Sequence, residues 1–429
     1  MKRRIKEQSV IFYSVTKWVF LSVIVGCMVG VSTVIFLKAL SWSLDTASLH
    51  RHYFLLLPLA LFLSALIIKF LAPDAEGHGT EKVIEAIHKD NGIIKAAVVP
   101  VKLISTIITL ALGGSAGKEG PCAQIGAGIA STFARIFRFD AHDRKKLVIC
   151  GISAGFASVF GTPIAGALFG VEVLFVGTIL YDVMLPSFIA GVISYNVSSS
   201  LGIRYFHHTL ATPLNFSAVF FYQIIIAGIF FGLCSFFLIE ILNIGKKVSE
   251  KIKIWKPLKG LIGGVVLIVI ALLFSTDYLG LGLNTIESSL NGQSLPWYAF
   301  ILKSFTTSMT LNFGGSGGIV TPIFFVGSSA GNIFAQVLRL DVVLFSALGF
   351  VGLLAGAANT PIAASIMAIE LFGPQIAPYA ALVCVISFLM TGHRSVYPSQ
   401  ILAFKKSKLI DIELGKEIEK SKVLKAGLR

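Results

Sequence analysis

Apolar residues along the chain fall in long, nearly unbroken runs rather than in alternation, a pattern that predicts helices surrounded by apolar material. Trp18–Leu40 and Tyr53–Leu71 are the first two predicted spans, preceded by a basic amphipathic segment, Met1–Lys17, of the kind that lies on a membrane surface. A polar insert, Pro73–Glu81, leads into a helical stretch at Val83–His88, which puts Gly77-His78-Gly79-Thr80 at a predicted helix N-terminus. Apolar segments then follow at Ala96–Leu112, Cys122–Phe137, Leu147–Leu180, Leu185–Leu201, Val219–Leu242, Leu261–Phe274, Trp297–Phe313, Ile319–Val337, Val343–Phe372 and Ala377–Leu389. Several are at or below the ~20 residues of a full span. Short, glycine- or proline-interrupted segments are expected of transporters whose broken helices meet near the bilayer midplane. The tail from Lys405 is charged and about as long as one helix.

The pattern repeats. Lys102–Pro121 aligns without gaps on Lys303–Pro322, with identities at Lys102/Lys303, Thr106/Thr307, Thr109/Thr310, Gly113/Gly314, Gly114/Gly315, Ser115/Ser316, Gly117/Gly318 and Pro121/Pro322 among others. Thr162-Pro-Ile-Ala165 recurs as Thr360-Pro-Ile-Ala363, and each is followed by an acid, Glu172 and Glu370. The predicted organisation is an N-terminal segment (1–17), a first membrane repeat (18–205), a connecting loop (206–215), a second repeat (216–400) and a basic tail (401–429).

Composition fixes the solvent. The chain of 429 residues is 55% hydrophobic and 14% charged, against roughly 25% charged for soluble domains. An all-α, polytopic membrane protein is predicted. The net charge, 36 − 22 = +14, would suggest nucleic acid in a soluble protein. Here it lies in clusters flanking the spans: Lys2–Lys6, Arg135–Lys146, Lys246–Lys259 and the tail. By the positive-inside rule they mark the cytoplasmic side, with both termini there. Contact with anionic lipid is a secondary role for them. The five cysteines are widely spaced in apolar stretches, so buried thiols are expected and neither a metal site nor a disulfide framework.

The chemistry concentrates in three glycine-rich breaks: Gly77-His78-Gly79-Thr80, Gly117-Lys118-Glu119-Gly120-Pro121 and Gly317-Gly318-Ile319-Val320-Thr321-Pro322. Backbone broken at membrane depth must face protein or a polar cavity. Each break opens a helix, whose unpaired N–H groups carry partial positive charge and bind anions. A cation site would need rings of carbonyls or carboxylates. The inferred substrate is a small anion, and a glutamate in such a break is a functional candidate.

With these motifs in view, the chain resembles the CLC family of chloride channels and proton-coupled chloride exchangers, in the prokaryotic form without CBS domains. The resemblance covers about residues 18–400. Gly117–Pro121 matches the G(K/R)EGP motif, Gly318–Pro322 matches GxFxP with Val320 for the phenylalanine, and Val396-Tyr397 falls where the family has its pore tyrosine. The resemblance implies two inverted-topology repeats of tilted, discontinuous helices, a homodimer with one pore per subunit, residence in the cell membrane, and no catalytic chemistry. It implies chloride as the bound ion, protons as the coupled species, and no other cofactor. Glu119 would be the external gate, displaced from an anion position on protonation. Backbone groups of Ile319 and Val320 and the Tyr397 hydroxyl would hold the central ion, within a cradle formed by His78, Gly79, Gly117, Lys118, Gly120 and Gly318.

Two departures bear on selectivity and coupling. His78 stands where the family's GSGIP motif has serine, which opens chloride, fluoride or another small anion as cargo. Val173 stands where exchangers carry an internal proton-relay glutamate, so proton exchange and a passive channel both remain readings, with exchange favoured. Local alternatives also exist. Glu119 can be a helix-start acid held by the dipole, His78 a loop residue, and Tyr397 an interfacial tyrosine near Arg394. Glu172 and Glu370 read better as structural acceptors at the repeat interface. Lys102 and Lys303 either snorkel or brace the pore entrances. An intramembrane serine protease is the remote alternative, from Gly113-Gly-Ser-Ala-Gly117 and Gly151-Ile-Ser-Ala-Gly155, but these lack the strand–turn–helix setting of a nucleophile elbow.

Overall fold

The computed structural model describes residues 2–209, 217–421 and 423–426; the predicted connecting loop therefore lies largely outside the described residues. The first half comprises α1 (Lys2–Ser48), α2 (Leu57–Leu71), α3 (Thr80–Lys89), α4 (Val98–Ala111), α5 (Glu119–Ile136), α6 (Ala141–Phe160), α7 (Pro163–Glu172) and α8 (Tyr181–Ser200). The second comprises α9 (Ala218–Lys251), α10 (Lys256–Leu273), α11 (Leu283–Leu290), α12 (Ala299–Asn312), α13 (Val320–Leu338), α14 (Val342–Ala358), α15 (Pro361–Phe372) and α16 (Ala377–Met390). Helix for helix the halves correspond. Even the caps do: Asp140 accepts the Asp143 N–H before α6, and Asp341 the Leu344 N–H before α14, both at 2.8 Å.

The repeats are joined by hydrogen bonds that come in exchanged pairs. Ser115 N–H donates to Thr310 Oγ1 at 2.9 Å, and Ser316 N–H to Thr109 Oγ1 at 3.0 Å. Gly117 N–H donates to the Gly318 carbonyl at 2.7 Å and Gly318 N–H to that of Gly117 at 2.6 Å, in an antiparallel bridge. Exchanged pairs are what a two-fold relation produces. The bridge directly precedes α5 and α13, so these helices leave it in opposite directions, the arrangement of inverted-topology repeats.

The helices α5, α6, α13 and α14 form the buried centre, and small residues let them close up. A Cβ on Gly126 would overlap the carbonyl oxygen of Gly151, and in the second repeat one on Gly327 would overlap that of Gly349. Among the described residues, five helical stretches are long and apolar enough to cross a membrane: 4–48, 53–71, α9, α10 and α13. α1 and α9 turn apolar side chains such as Phe20, Ile35, Tyr222 and Leu233 outward, as lipid contact requires.

The structure departs from the sequence expectations in several places. α1 runs unbroken across Lys17, with no proline or glycine to separate a surface helix from the span, and Lys17 pairs with Asp143. The apolar runs 147–180 and 343–372 are each split, at Gly161 and Asn359, which adopt left-handed φ of +76° and +57° before a Thr-Pro helix start. α11, eight residues with Leu283, Ile286 and Leu290 at helical spacing, is absent from the elements read from the sequence. The tail, for which the sequence predicted no element, forms short strands. β2 (Ile401–Leu402) pairs in parallel with β1 (Phe175–Val176), and β3 (Ile410–Ile412) pairs with β4 (Val423–Ala426). Four cysteines are buried thiols as expected, whereas Cys27 is partly exposed.

Candidate functional site

Three helix N-termini converge where the two repeats cross: those of α3, α5 and α13. Glycine makes the approach possible. A Cβ on Gly120 would overlap the carbonyl oxygen of His78 and lie 3.0 Å from the Gly318 Cα. One on Gly117 would overlap Oε2 of Glu119 and stand 3.0 Å from the Thr321 N–H. Gly79, at φ +83°, turns the chain into α3 directly against Gly120. The sequence-read cradle residues Gly79, Gly117, Gly120 and Gly318 therefore lie together.

Glu119 is 1% exposed and sits at the first residue of α5. Its side chain crosses to the other repeat, where Oε2 accepts the Thr321 N–H at 3.1 Å and Oε1 the Thr321 hydroxyl at 2.5 Å. A carboxylate thus occupies the first turn of α13. Ile319 and Val320 are fully buried around this point, and their N–H groups have no acceptor among the described residues. Lys118 is half-buried within electrostatic reach of Glu119. Thr321 is the residue that sequence reasoning missed: a threonine in the first turn is an ordinary helix-start choice, with nothing to show that it meets a glutamate 202 positions away.

On the other side of the crossing lie His78 and Tyr397. Their rings are 5.7 Å apart, and Phe169 stands edge-on to the phenol at 6.4 Å. Tyr397 is fully buried, so it is no interfacial tyrosine. Its hydroxyl and Nδ1 of His78 are both buried without a hydrogen-bond partner among the described residues, with the Thr80 hydroxyl facing the phenol. Buried polar groups are rarely left unpaired. Here two lie on neighbouring rings, which makes this the least satisfied polar spot near the crossing among the described residues. Below them opens a cavity of about 950 Å³, whose lining includes His78, Glu81, Lys246, Lys259, Arg394 and Ser399. Its lysines belong to the basic cluster predicted to be cytoplasmic.

The remaining candidates find structural places. Glu172 accepts the N–H groups of Ile362 and Ala363 at 3.0 and 2.8 Å, and Glu370 those of Ile164 and Ala165 at 2.9 and 2.8 Å. They are reciprocal caps across the repeats, as their spacing suggested. Lys102 and Lys303 do not snorkel, since both are fully buried. Lys102 Nζ donates to the carbonyls of Ala75 and Gly77 at 3.1 and 2.5 Å, and Lys303 Nζ to those of Tyr278 and Gly280 at 3.3 and 2.8 Å. Lys102 thereby fixes the chain immediately before His78. Ser115 lies at the repeat interface, its hydroxyl 3.1 Å from those of Thr306 and Thr307, with no histidine bonded to it among the described residues. Val173 is buried, and its carbonyl accepts from Gln400 Nε2 at 2.8 Å.

The profile of a family described as voltage gated chloride channel matches residues 60–392. A chloride/fluoride channel protein of Pseudomonas syringae pv. tomato is 34% identical, over 94% of this chain and 91% of its own length. An H(+)/Cl(-) exchange transporter of Klebsiella pneumoniae is 27% identical, over 82% of this chain and 80% of its own. Among solved structures, a CLC-type fluoride/proton antiporter superposes with a TM-score of 0.86 at 28% identity, covering 91% of this chain and 99% of the other. A slow cyanobacterial Cl-/H+ antiporter superposes with a TM-score of 0.75 at 20% identity, covering 87% and 94%, and supports the fold.

Proposed function

The chain belongs to the voltage-gated chloride channel (CLC) family of multi-pass membrane anion transport proteins, and on that premise we propose that it exchanges chloride for protons, with Glu119 as the moving gate. The observation that carries this reading is the Glu119 carboxylate lodged on the Thr321 N–H and hydroxyl at the start of α13. A carboxylate and a halide compete for the same donors. Each hydrogen bond to a charged acceptor contributes about 1.5–3 kcal/mol. Protonating Glu119 brings both into the neutral range of about 0.5–1.5 kcal/mol, a loss of roughly 2–3 kcal/mol together, or about two decades in occupancy. The protonation state therefore decides whether the carboxyl or a transported anion holds the helix end. The N–H groups of Ile319 and Val320, and the facing Tyr397 hydroxyl and His78 ring, supply donors for the anion behind the gate. Backbone donors offset desolvation without a full countercharge that would trap the ion.

The basic cavity lining faces the cytoplasm in this reading, in the cell membrane, with both termini on that side. The working unit is a homodimer with one pore in each subunit. A second reading, fluoride as the preferred halide, is favoured by His78: an imidazole stands where a serine hydroxyl would donate, and relatives named above carry fluoride in their descriptions.

The test is purified protein in liposomes, with anion efflux and proton movement recorded together, in chloride and in fluoride. Opposed fluxes are expected, and Glu119→Gln should abolish the proton component. Anion flux without protons would make the protein a passive channel, and absence of any anion flux would overturn the assignment.

A further inference from the structure

Under the exchange reading, protons reach Glu119 from the inner solution, and a protonatable group on the inner side would provide an inner proton acceptor for that path. Resting on the exchange reading, we infer that Glu81 is that inner proton acceptor. It occupies the second position of α3 and lines the inner cavity together with His78 and Ser399. Oε1 accepts the Ser399 N–H at 3.0 Å and the Ser399 hydroxyl at 2.5 Å, which hold the side chain in place. Oε2 is buried and has no partner among the described residues.

A purely structural carboxylate in this protein looks different. Glu172 and Glu370, at the ends of α7 and α15, engage both oxygens with backbone N–H groups at the start of a helix in the other repeat. Glu81 is held by one oxygen, its other oxygen is buried without a partner among the described residues, and the residue lines the inner cavity. The remaining acids of the cavity serve worse. Glu76 pairs with Lys256 at 2.5 Å, Glu85 with Lys82 and Lys89 at 2.8 and 2.9 Å, and Glu419 with Lys246 at 3.0 Å. Glu250 is exposed. Val173 offers no proton-binding group at all.

The neighbours suit a relay. Tyr397 lies within electrostatic reach of both Glu81 and Glu119, and its ring stands 5.7 Å from that of His78. The charged groups facing Glu81 are Lys82 and Glu85 from its own helix and Lys246 from α9, with the His78 ring on the preceding loop. A proton enters from the cavity onto Oε2, neutralising the carboxylate. It then passes through pore water beside His78 and Tyr397 to the Glu119 carboxylate, leaving Glu81 charged for the next cycle. No covalent bond other than O–H is made or broken.

Glu81→Gln in liposomes tests this. The amide keeps the acceptor for Ser399 but cannot carry a proton, so anion efflux should continue while protons moved per anion fall at least tenfold. Glu81→Asp should restore coupling, with the pH dependence of proton uptake shifted. Unchanged coupling in Glu81→Gln overturns the assignment. So does a protein in which Glu81→Gln and Glu81→Asp both lose anion flux, since that marks a structural residue. A wild type that moves anions without protons removes the exchange reading itself, and the relay with it.

Discussion

Lys102→Met tests whether the buried lysine positions the inner anion site. Methionine matches the length of the lysine stem but cannot donate to the Ala75 and Gly77 carbonyls. Two orphaned buried carbonyls cost about 1–3 kcal/mol each. Against this, the variant no longer buries an ammonium, a penalty of several kcal/mol after relaxation. The opposing contributions are of one size, so overall stability should change little, by about 2 kcal/mol or less. The local consequence is larger, because the Gly77 carbonyl is bonded beside His78 and its release lets the chain into α3 turn. One misplaced donor at an anion site, worth about 1.4 kcal/mol, is a tenfold effect. Chloride efflux should therefore fall about tenfold, while the thermal midpoint in detergent, followed by tryptophan fluorescence, moves by only a few degrees. Lys303→Met removes the same two bonds from Tyr278 and Gly280 in the other repeat, away from His78, and should leave efflux within about twofold. Equal losses of flux in the two variants, or full flux in Lys102→Met, would refute the positioning role.

Two further outcomes can be checked directly. Gly120→Ala puts a methyl group into the His78 carbonyl, backbone against backbone, so the helix starts must separate; about 1–3 kcal/mol of stability and most anion flux should be lost, and a variant with wild-type melting and transport would contradict the crossing. Glu417 joins the tail to α3 through Lys89 at 3.2 Å, with Lys420 at 2.8 Å. Burial raises its carboxyl, but the two lysines outweigh this and hold it below the ordinary range. A depressed folded-state value stabilises above the unfolded carboxylate pKa and is lost as pH falls through the folded one. Protection of the tail strands in hydrogen exchange should hold from pH 7 to about 5 and weaken below about 4, and release near pH 6 would show that another group holds the tail.

Much of this arrangement was legible because glycine and proline have few uses in apolar helices. The Gly117–Pro121 and Gly318–Pro322 breaks, their repeat offset, and the reciprocal acids after each Thr-Pro start all follow from residue type and spacing. What was hidden depends on contacts between distant positions. A lysine in an apolar run reads alike whether it snorkels or is buried, so the role of Lys102 could not be read from its neighbours in sequence. Thr321 and Glu81 each look like a residue chosen to start a helix, and only the crossing of the repeats gives them partners. The splits at Gly161 and Asn359 were obscured by apolar residues continuing on both sides. The tail carries no clear periodic signal, and its short strands fold back on Val176 and Phe388 through contacts the sequence does not show.

The three crossing glutamates can be counted as fasteners. Glu172 closes the first turn of α15, Glu370 closes that of α7, and Glu119 closes that of α13, each reaching from the opposite repeat. Strict two-fold symmetry would provide a fourth, closing α5 from the second repeat. At that position stands Val320, which has no charge to offer. Of these four helix ends, that of α5 has no carboxylate from the opposite repeat, while that of α13 has Glu119. Under the proposed cycle, a diffusing halide completes a symmetry that the chain itself leaves one carboxylate short.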